Sequence, residues 1–256
     1  MLTDGEMLMT AMRQSAYDTG ADASDFTREE NVIVSPKNDP RAKVFFADPP
    51  ACNLVSYGKN VVASVKDEYR DEVGRYIGGA AWYSCFETPY MHRLDDAMRK
   101  LGQRVCFMAE YWLPEADRLK RLECGYEIRL LMPEDFSGLY TPEWHNALCA
   151  DRRERDVLAV GAYDGGKLIG LAGCSADCED MLQIGVDVLP EYRRRGTASA
   201  LTSRLALEIM DMGKVPFYCC AWSNIPSARN AYRSGFRPAW VELTVRDEAF
   251  AEKISH

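Results

Sequence analysis

The sequence lacks the features that define several large classes of protein. No apolar stretch in its 256 residues approaches the ~20 residues that a membrane-spanning helix needs. The N-terminal residues lack the basic segment followed by an apolar one that marks a secretory signal. Histidine occurs only three times, at His92, His145 and His256, in no cluster that suits a metal. We therefore expect a cytoplasmic protein with neither a membrane partner nor a metal cofactor.

Positive charge is also scarce. The chain has 31 lysines and arginines against 39 aspartates and glutamates, a formal net charge of −8. A nucleic-acid partner would need a basic surface, so this balance argues against one, whereas a cationic amine substrate is compatible with it. The nine cysteines are an odd number and lack the spacing of zinc-binding pairs, so we expect reduced and mostly buried thiols. The sequence leaves a homodimer open.

The most informative part of the sequence is a strand and a basic loop at residues 182–198. Ile184, Val186 and Val188 alternate along it, which predicts a strand with one buried face. Proline at position 190 ends this pattern because it has no N–H to donate to a neighbouring strand. Three consecutive arginines follow and form a positive island in an acidic chain.

A glycine and a helix come after the arginines. Leu201, Leu205 and Ile209 share one side of the predicted helix at 197–210. Free N–H groups and the positive dipole end at a helix start attract anions, and Gly196 lets the backbone approach a ligand closely. The order strand, basic loop, glycine, helix therefore predicts a phosphate site; the alternative is a plain strand–turn–helix with solvated arginines. The two commoner phosphate motifs, G-x-x-x-x-G-K-[ST] and G-x-G-x-x-G, are absent.

This strand end and loop resemble the pyrophosphate loop of the GNAT superfamily, the acyl-CoA-dependent N-acyltransferases. The family pattern is [QR]-x-x-G-x-[GA] after a V-x-P strand end, and the matching residues here are Val188, Pro190, Arg193, Gly196 and Ala198. The resemblance implies that acetyl-CoA is the co-substrate, with its pyrophosphate held mainly by backbone N–H groups of the loop. It also implies that main-chain atoms of Val186 and Val188, at a bulge in the strand, hold the acyl carbonyl and the pantetheine arm. The predicted cofactor-binding residues are Val186, Val188, Arg193, Arg194, Arg195, Gly196, Thr197, Ala198, Ser199 and Asn224.

A second stretch extends the resemblance: Asn224 at a strand end, then a short helix and Gly235-Phe236. The resemblance implies that Asn224 binds a pantetheine amide, although an asparagine there also suits a helix cap. Many family members place a tyrosine four residues before the glycine, where it protonates the departing thiolate. Here that position is Ala231, and Tyr232 follows it about 100° around the helix.

Two catalytic candidates result, Ser227 and Tyr232. Ser227 matches a branch of the superfamily in which a serine three residues after the asparagine contacts the sulfur; a local cap is the alternative. The general base stays open among Glu179, Asp180, Asp187, a water relay and a group from the first half of the chain. Relatives with a glutamate base carry it near Leu182, which cannot accept a proton.

The predicted order of elements at 126–246 is strand, helices, three strands, helix, strand, helix, strand, which is that of the GNAT fold. We therefore expect an α+β protein in two domains. Residues 123–256 are the GNAT domain, a central mixed β-sheet flanked by helices. Residues 1–122 are a smaller α+β domain, either a degenerate copy of that fold or unrelated to it.

The expected activity is transfer of an acetyl group from acetyl-CoA to a primary amine of a small molecule, directly and in a ternary complex. Two alternatives are an N-acetyltransferase of proteins or peptides and a non-catalytic acyl-CoA binding or sensor module.

Overall fold

The computed structural model describes residues 2–254 and divides them into two compact units. One unit comprises the chain up to Thr10 together with Trp112–Pro238, and the other comprises Ala11–Tyr111 together with the chain from Ala239. The units are thus composed differently from the domains predicted at 1–122 and 123–256, because the C-terminal residues group with the N-terminal half. That two-domain division stays a prediction. Of the three histidines, His256 lies outside the described residues.

Helices and strands both contribute to residues 2–254, which confirms the α+β class. The α-helices are α1 (Asp4–Thr19), α2 (Arg70–Gly78), α3 (Thr88–Arg99), α4 (Thr197–Asp211), α5 (Ile225–Arg233) and α6 (Glu248–Ile254). The strands are β1 (Val32–Val34), β2 (Cys52–Ser56), β3 (Val62–Val65), β4 (Gln103–Pro114), β5 (Glu127–Leu131), β6 (Asp156–Asp164), β7 (Lys167–Ser175), β8 (Met181–Val188), β9 (Val215–Cys220) and β10 (Phe236–Asp247). Short 3₁₀ turns lie at Ala23–Thr27, Val44–Phe46, Asp67–Tyr69, Trp82–Phe86, Pro133–Phe136, Pro142–Trp144, Ala150–Arg155 and Pro190–Tyr192.

The unit that contains Trp112–Pro238 holds strands in the order β9-β8-β7-β6-β5. The pairs from β5 to β8 are antiparallel and the β8–β9 pair is parallel, so the sheet is mixed, as predicted. The β6–β7 hairpin turns through Gly165 (φ 55°) and Gly166 (φ 88°), a left-handed pair that favours glycine.

Helix α4 covers one face of this sheet. Leu201, Leu205 and Ile209 are all fully buried, which confirms the predicted apolar side of the helix. A Cβ at Gly170 would lie 3.0 Å from Leu201 Cδ1 and 3.3 Å from Thr197 Cγ2, so the glycine lets the helix approach β7 closely.

The other unit holds strands in the order β1-β3-β2-β10-β4. β1 pairs with β3 in parallel, whereas β2 is antiparallel to β3 and to β10. Its interior includes an ion pair: Lys43 Nζ lies 2.8 Å from Asp18 Oδ2, and the two side chains are only 6% and 2% exposed. Beside it, the ring of Trp240 stacks on Tyr111 at 4.7 Å and on Tyr57 at 5.5 Å.

All nine cysteines are free thiols, five of them buried. Within residues 2–254, no helix is both long enough and apolar enough to cross a membrane. In the same range, no three His, Cys, Asp or Glu side chains are grouped so that they could hold a metal ion.

Candidate functional site

An opening lies between β8 and β9. β8 pairs with β7 from Gln183 to Val188, but its pairing with β9 ends at Ile184, opposite Tyr218. Both strands continue beyond this last pair, β8 to Val188 and β9 to Cys220. We call the space between these two strand ends the fork. β8 therefore separates from β9 at this end.

Backbone groups of the two predicted valines are directed into the fork. The Leu189 N–H donates to the Ile169 carbonyl at 3.0 Å, which fixes the alternation of the antiparallel β7–β8 ladder. The backbone groups of Gly185 and Asp187 therefore point toward β7, and those of Val186 and Val188 point away from it. The β7–β8 register is unbroken from Gln183 to Val188. The opening thus arises because β9 diverges and not from a bulge in β8 of the kind the resemblance implies.

The arginine loop joins β8 to α4 and leaves several amides free. Gly196 precedes the helix with φ 81°, and the first helical bond joins the Ala200 N–H to the Gly196 carbonyl at 3.0 Å. The N–H groups of residues 196–199 therefore have no acceptor within the helix, and they lie at the positive end of its dipole. Thr197 is 1% exposed, and its hydroxyl has no hydrogen-bond partner among residues 2–254. These donors fit an anionic group such as a diphosphate.

The three arginines play different parts in the loop. Arg193 Nε donates to the Val188 carbonyl at 2.9 Å and so connects the loop to the strand end. Arg195 Nη1 donates to the Tyr126 hydroxyl at 2.8 Å. Arg194 is the one non-glycine residue in the range 2–254 with positive φ, 63°. Such a conformation costs roughly 1–2 kcal/mol and concentrates at ligand-binding sites.

Asn224 and Ser227 lie at the start of α5. Asn224 Oδ1 accepts a hydrogen bond from the Ser227 N–H at 3.1 Å, so the asparagine is a helix cap. Its side-chain nitrogen has no acceptor among residues 2–254, so its two hydrogens are available to a ligand. Ser227 Oγ lies 2.8 Å from the hydroxyl of Tyr218, the residue at the last β8–β9 pair. Ser227 is therefore connected to the fork.

Tyr232 lies elsewhere on α5. Its side chain is 58% exposed, and the Arg118 guanidinium lies 4.3 Å from the centre of its ring. Ala231, the position of the family tyrosine, is fully buried instead. The two catalytic candidates, Ser227 and Tyr232, are thus not brought together.

A chain segment crosses β8 at the fork, on the sheet face opposite α4. Asp187 accepts hydrogen bonds from the Asn146 N–H at 2.8 Å, from Asn146 Nδ2 at 2.7 Å and from the Ala147 N–H at 3.0 Å. A Cβ at Gly185 would lie 1.8 Å from the Asn146 carbonyl oxygen, and one at Gly173 would lie 2.1 Å from that of Ala147. Only glycine fits at these two positions. The segment was not predicted from the sequence, although glycine inside a strand signals close approach of another backbone.

An imidazole and a carboxylate flank this segment. His145 is exposed, with Nδ1 2.7 Å from the Pro142 carbonyl oxygen and Nε2 3.1 Å from Asn146 Nδ2. At the other end, the Cys149 N–H donates to Asp156 at 3.0 Å. Burial raises the pKa of Asp156 to about 6. Of the base candidates, Asp187 is committed to the segment and Glu179 is exposed.

Comparison with known families identifies the domain. Residues 125–236 match the model of the Acetyltransferase (GNAT) family, which confirms the resemblance stated above. The chain therefore contains a GNAT acetyltransferase domain at these residues. The general reaction of that family is acyl transfer from acyl-CoA. Among curated proteins, none matches the chain.

Several solved structures are similar to parts of the chain. An acetyltransferase of the GNAT family from Colwellia psychrerythraea is 15% identical, with a TM-score of 0.43 over 57% of each chain. A GCN5-related N-acetyltransferase from Sphaerobacter thermophilus is 16% identical, with a TM-score of 0.48 over 77% of this chain and 76% of that one. The aminoglycoside N-acetyltransferase AAC(6')-Iy, solved in complex with CoA, is 22% identical, with a TM-score of 0.36 over 47% of this chain and 93% of that one.

Proposed function

We propose that the protein is an acetyl-CoA-dependent N-acetyltransferase that acts on a primary amine of a small molecule, by direct transfer in a ternary complex. One observation carries this proposal. The fork and the free amides of α4 belong to one continuous strand–loop–helix, with a single arginine side chain bridging strand end and loop. This arrangement suits one extended ligand with a thioester at one end and a diphosphate at the other.

Loop and helix bind the diphosphate in this proposal. The amides of residues 196–199 donate to its oxygens, and the left-handed Gly196 has no Cβ to obstruct them. Arg193, Arg194 and Arg195 supply charge, of which Arg193 is also fixed to the end of β8. Asn224 keeps a side-chain donor for an amide of the pantetheine arm.

Strand β8 orients the acyl group. Acetyl-CoA supplies an acetyl group activated as a thioester. The N–H groups of Val186 and Val188 are directed into the fork, where they can donate to the carbonyl oxygen. Such hydrogen bonds strengthen as the oxygen gains negative charge, so they stabilise the transition state more than the ground state.

Two side chains are candidates for the proton donor. Ser227, connected to the fork through Tyr218, is the proton donor for the departing sulfur. Tyr232 is the weaker candidate because its ring is largely exposed and lies against Arg118. The proton of the amine leaves through water, because His145 Nε2 already accepts a hydrogen bond from Asn146 Nδ2 and has no lone pair left for it.

A turnover assay tests the proposal. The protein is incubated with acetyl-CoA and a panel of primary amines, amino acids and peptides, and release of free thiol is followed, with an amine-free reaction as the control. We expect thiol release that depends on a small amine. Turnover with peptides alone would indicate a protein or peptide acetyltransferase instead.

Binding of acetyl-CoA without turnover on any amine would support the non-catalytic module. One observation favours that alternative. A buried alanine at 231 and a buried leucine at 182 stand where relatives carry a proton donor and a base.

A further inference from the structure

A buried phenol stands at the base of the fork. Tyr218 is 4% exposed and pairs with Ile184, the last pair before β8 and β9 separate. Its hydroxyl lies 2.8 Å from Ser227 Oγ. The proposed function leaves this phenol without a role, and its position in the middle of a β-type run gave no signal in the sequence.

Tyr218 and Ser227 lie beside a side chain that connects α5 to α4. Asn230 accepts a hydrogen bond from Ser199 Oγ at 3.0 Å through its side-chain oxygen. Its side-chain nitrogen donates to Thr202 Oγ1 at 3.0 Å. Between Tyr218 and Ser227, either hydroxyl can be the donor. When the phenol donates, Ser227 keeps its own hydroxyl hydrogen for another acceptor.

The phenol is suited to donate a hydrogen bond and not to ionise. Burial raises the pKa of Tyr218, against the lowering effect of its hydrogen bonds to Ser227 and Asn230. A phenol that stays protonated keeps a hydrogen that it can donate. The inner face of α5 has no phenol of its own, because Ala231 occupies the position where relatives carry one. Strand β9 supplies a phenol to that face instead.

We propose that Tyr218 is a positioning residue of the acetyl transfer, which holds Ser227 with its hydroxyl hydrogen directed to the sulfur of the co-substrate. This inference rests on the proposed function. In the step, the amine nitrogen forms a bond to the acetyl carbon, and the C–S bond breaks with its electron pair passing to sulfur. Ser227 gives its proton to the sulfur and regains one, through water, from the nitrogen that has become acetylated.

A double-mutant cycle tests the inference. Tyr218→Phe removes only the hydroxyl, so we expect kcat to fall about tenfold while the Kd for acetyl-CoA stays within about twofold. Ser227→Ala removes the donor and lowers kcat about 100-fold. In the Ser227→Ala background, Tyr218→Phe has no further effect, because the hydroxyl that it orients is gone. Tyr163→Phe, on β6 of the same unit, is the matched control and leaves kcat unchanged.

Three results would overturn the inference: an equal loss from Tyr218→Phe in both backgrounds, an unchanged kcat, or a Kd that weakens in parallel with kcat. If the unmodified protein acetylates no amine, the proposed function fails and the inference fails with it. If the unmodified protein acetylates an amine but the effects of Tyr218→Phe and Ser227→Ala on kcat are additive, the inference about Tyr218 fails and the proposed function stands.

Discussion

Replacing Gly196 tests whether the start of α4 binds a diphosphate. This glycine has φ 81°, and a Cβ built on it would have no heavy atom of the protein within 4 Å. Alanine or valine at this position therefore meets no protein clash and projects into the space beside the free amides. Apart from the backbone strain of a non-glycine residue at this φ, a loss of binding then comes from obstruction of the ligand by the new side chain.

The expected loss of folding stability in the Gly196 variants is small, whereas the expected loss of CoA affinity is large. An alanine in the left-handed region costs roughly 1–2 kcal/mol of folding free energy, and a β-branched valine costs more. If the new side chain removes two charge-assisted hydrogen bonds of about 1.5 kcal/mol each, the Kd for CoA rises about 100-fold. The variant protein therefore stays folded and binds CoA weakly.

Gly213 provides the control, because it follows the other end of the same helix. It has φ 75°, and a Cβ there would likewise have no neighbour within 4 Å. Gly213→Ala should lower the thermal unfolding temperature as much as Gly196→Ala does, while calorimetric titration with CoA gives an unchanged Kd. CoA binding at wild-type strength in both variants would refute the assignment of the pyrophosphate site.

Three further predictions concern the packing around the site and the second unit. Gly185→Ala places a Cβ 1.8 Å from the Asn146 carbonyl oxygen, so we expect the hydrogen–deuterium exchange of the Asn146 amide to accelerate about 100-fold. Lys43→Met leaves Asp18 buried and unpaired, which should cost about 3–5 kcal/mol in urea unfolding. Asp156, which is 4% exposed, has a folded-state pKa of about 6, above its unfolded value. Its contribution to the free energy of unfolding is therefore fully present below about pH 4 and is lost as the pH rises through 6. Across this range the stability of the protein relative to Asp156→Asn should fall by about 3 kcal/mol.

Each of these has a contradicting result. For Gly185→Ala the control is Gly125→Ala, where a Cβ would have no neighbour within 4 Å, and it should leave the exchange rate of the Asn146 amide unchanged. An equal acceleration in both variants would argue against the segment that crosses β8. For the ion pair, Lys59→Met removes an exposed lysine whose partner Glu29 is 3.9 Å away, and an equal loss there would contradict the buried pair. A difference between the protein and Asp156→Asn that does not vary with pH would contradict the raised pKa.

Local signals predicted the strand, loop and helix of the site closely. The predicted strand at 182–188 and helix at 197–210 correspond to β8 (Met181–Val188) and α4 (Thr197–Asp211). Alternating β-branched residues, a proline that cannot pair and a glycine before a helix each act within a few residues of sequence. The Asp-Gly turn between β6 and β7 was predictable for the same reason.

Features that depend on distant contacts were not predictable. The fork exists because β8 keeps its pairing with β7 while β9 turns away, and no local pattern encodes where that pairing stops. Tyr218 and Ser227 meet only because the chain reverses between β9 and α5. His145 and Asn146 reach β8 through a turn whose path depends on Asp187, more than 40 residues away. Sequence reasoning missed all of these contacts, and only the two strand glycines hinted at the last.

The structure also explains how the fork stays open without a large loss of folding free energy from unpaired backbone groups. Residues 185–187 of β8 are partly exposed, so water can satisfy the unpaired groups of Val186 until a ligand replaces it. β8 itself is held on both faces, by α4 on one and by the segment that hydrogen-bonds to Asp187 on the other. Arg193 fixes the strand end to the loop. The amides that would meet an acyl carbonyl and those that would meet a diphosphate are therefore held at a set spacing before any ligand arrives, and this reduces the ordering that the transfer step requires.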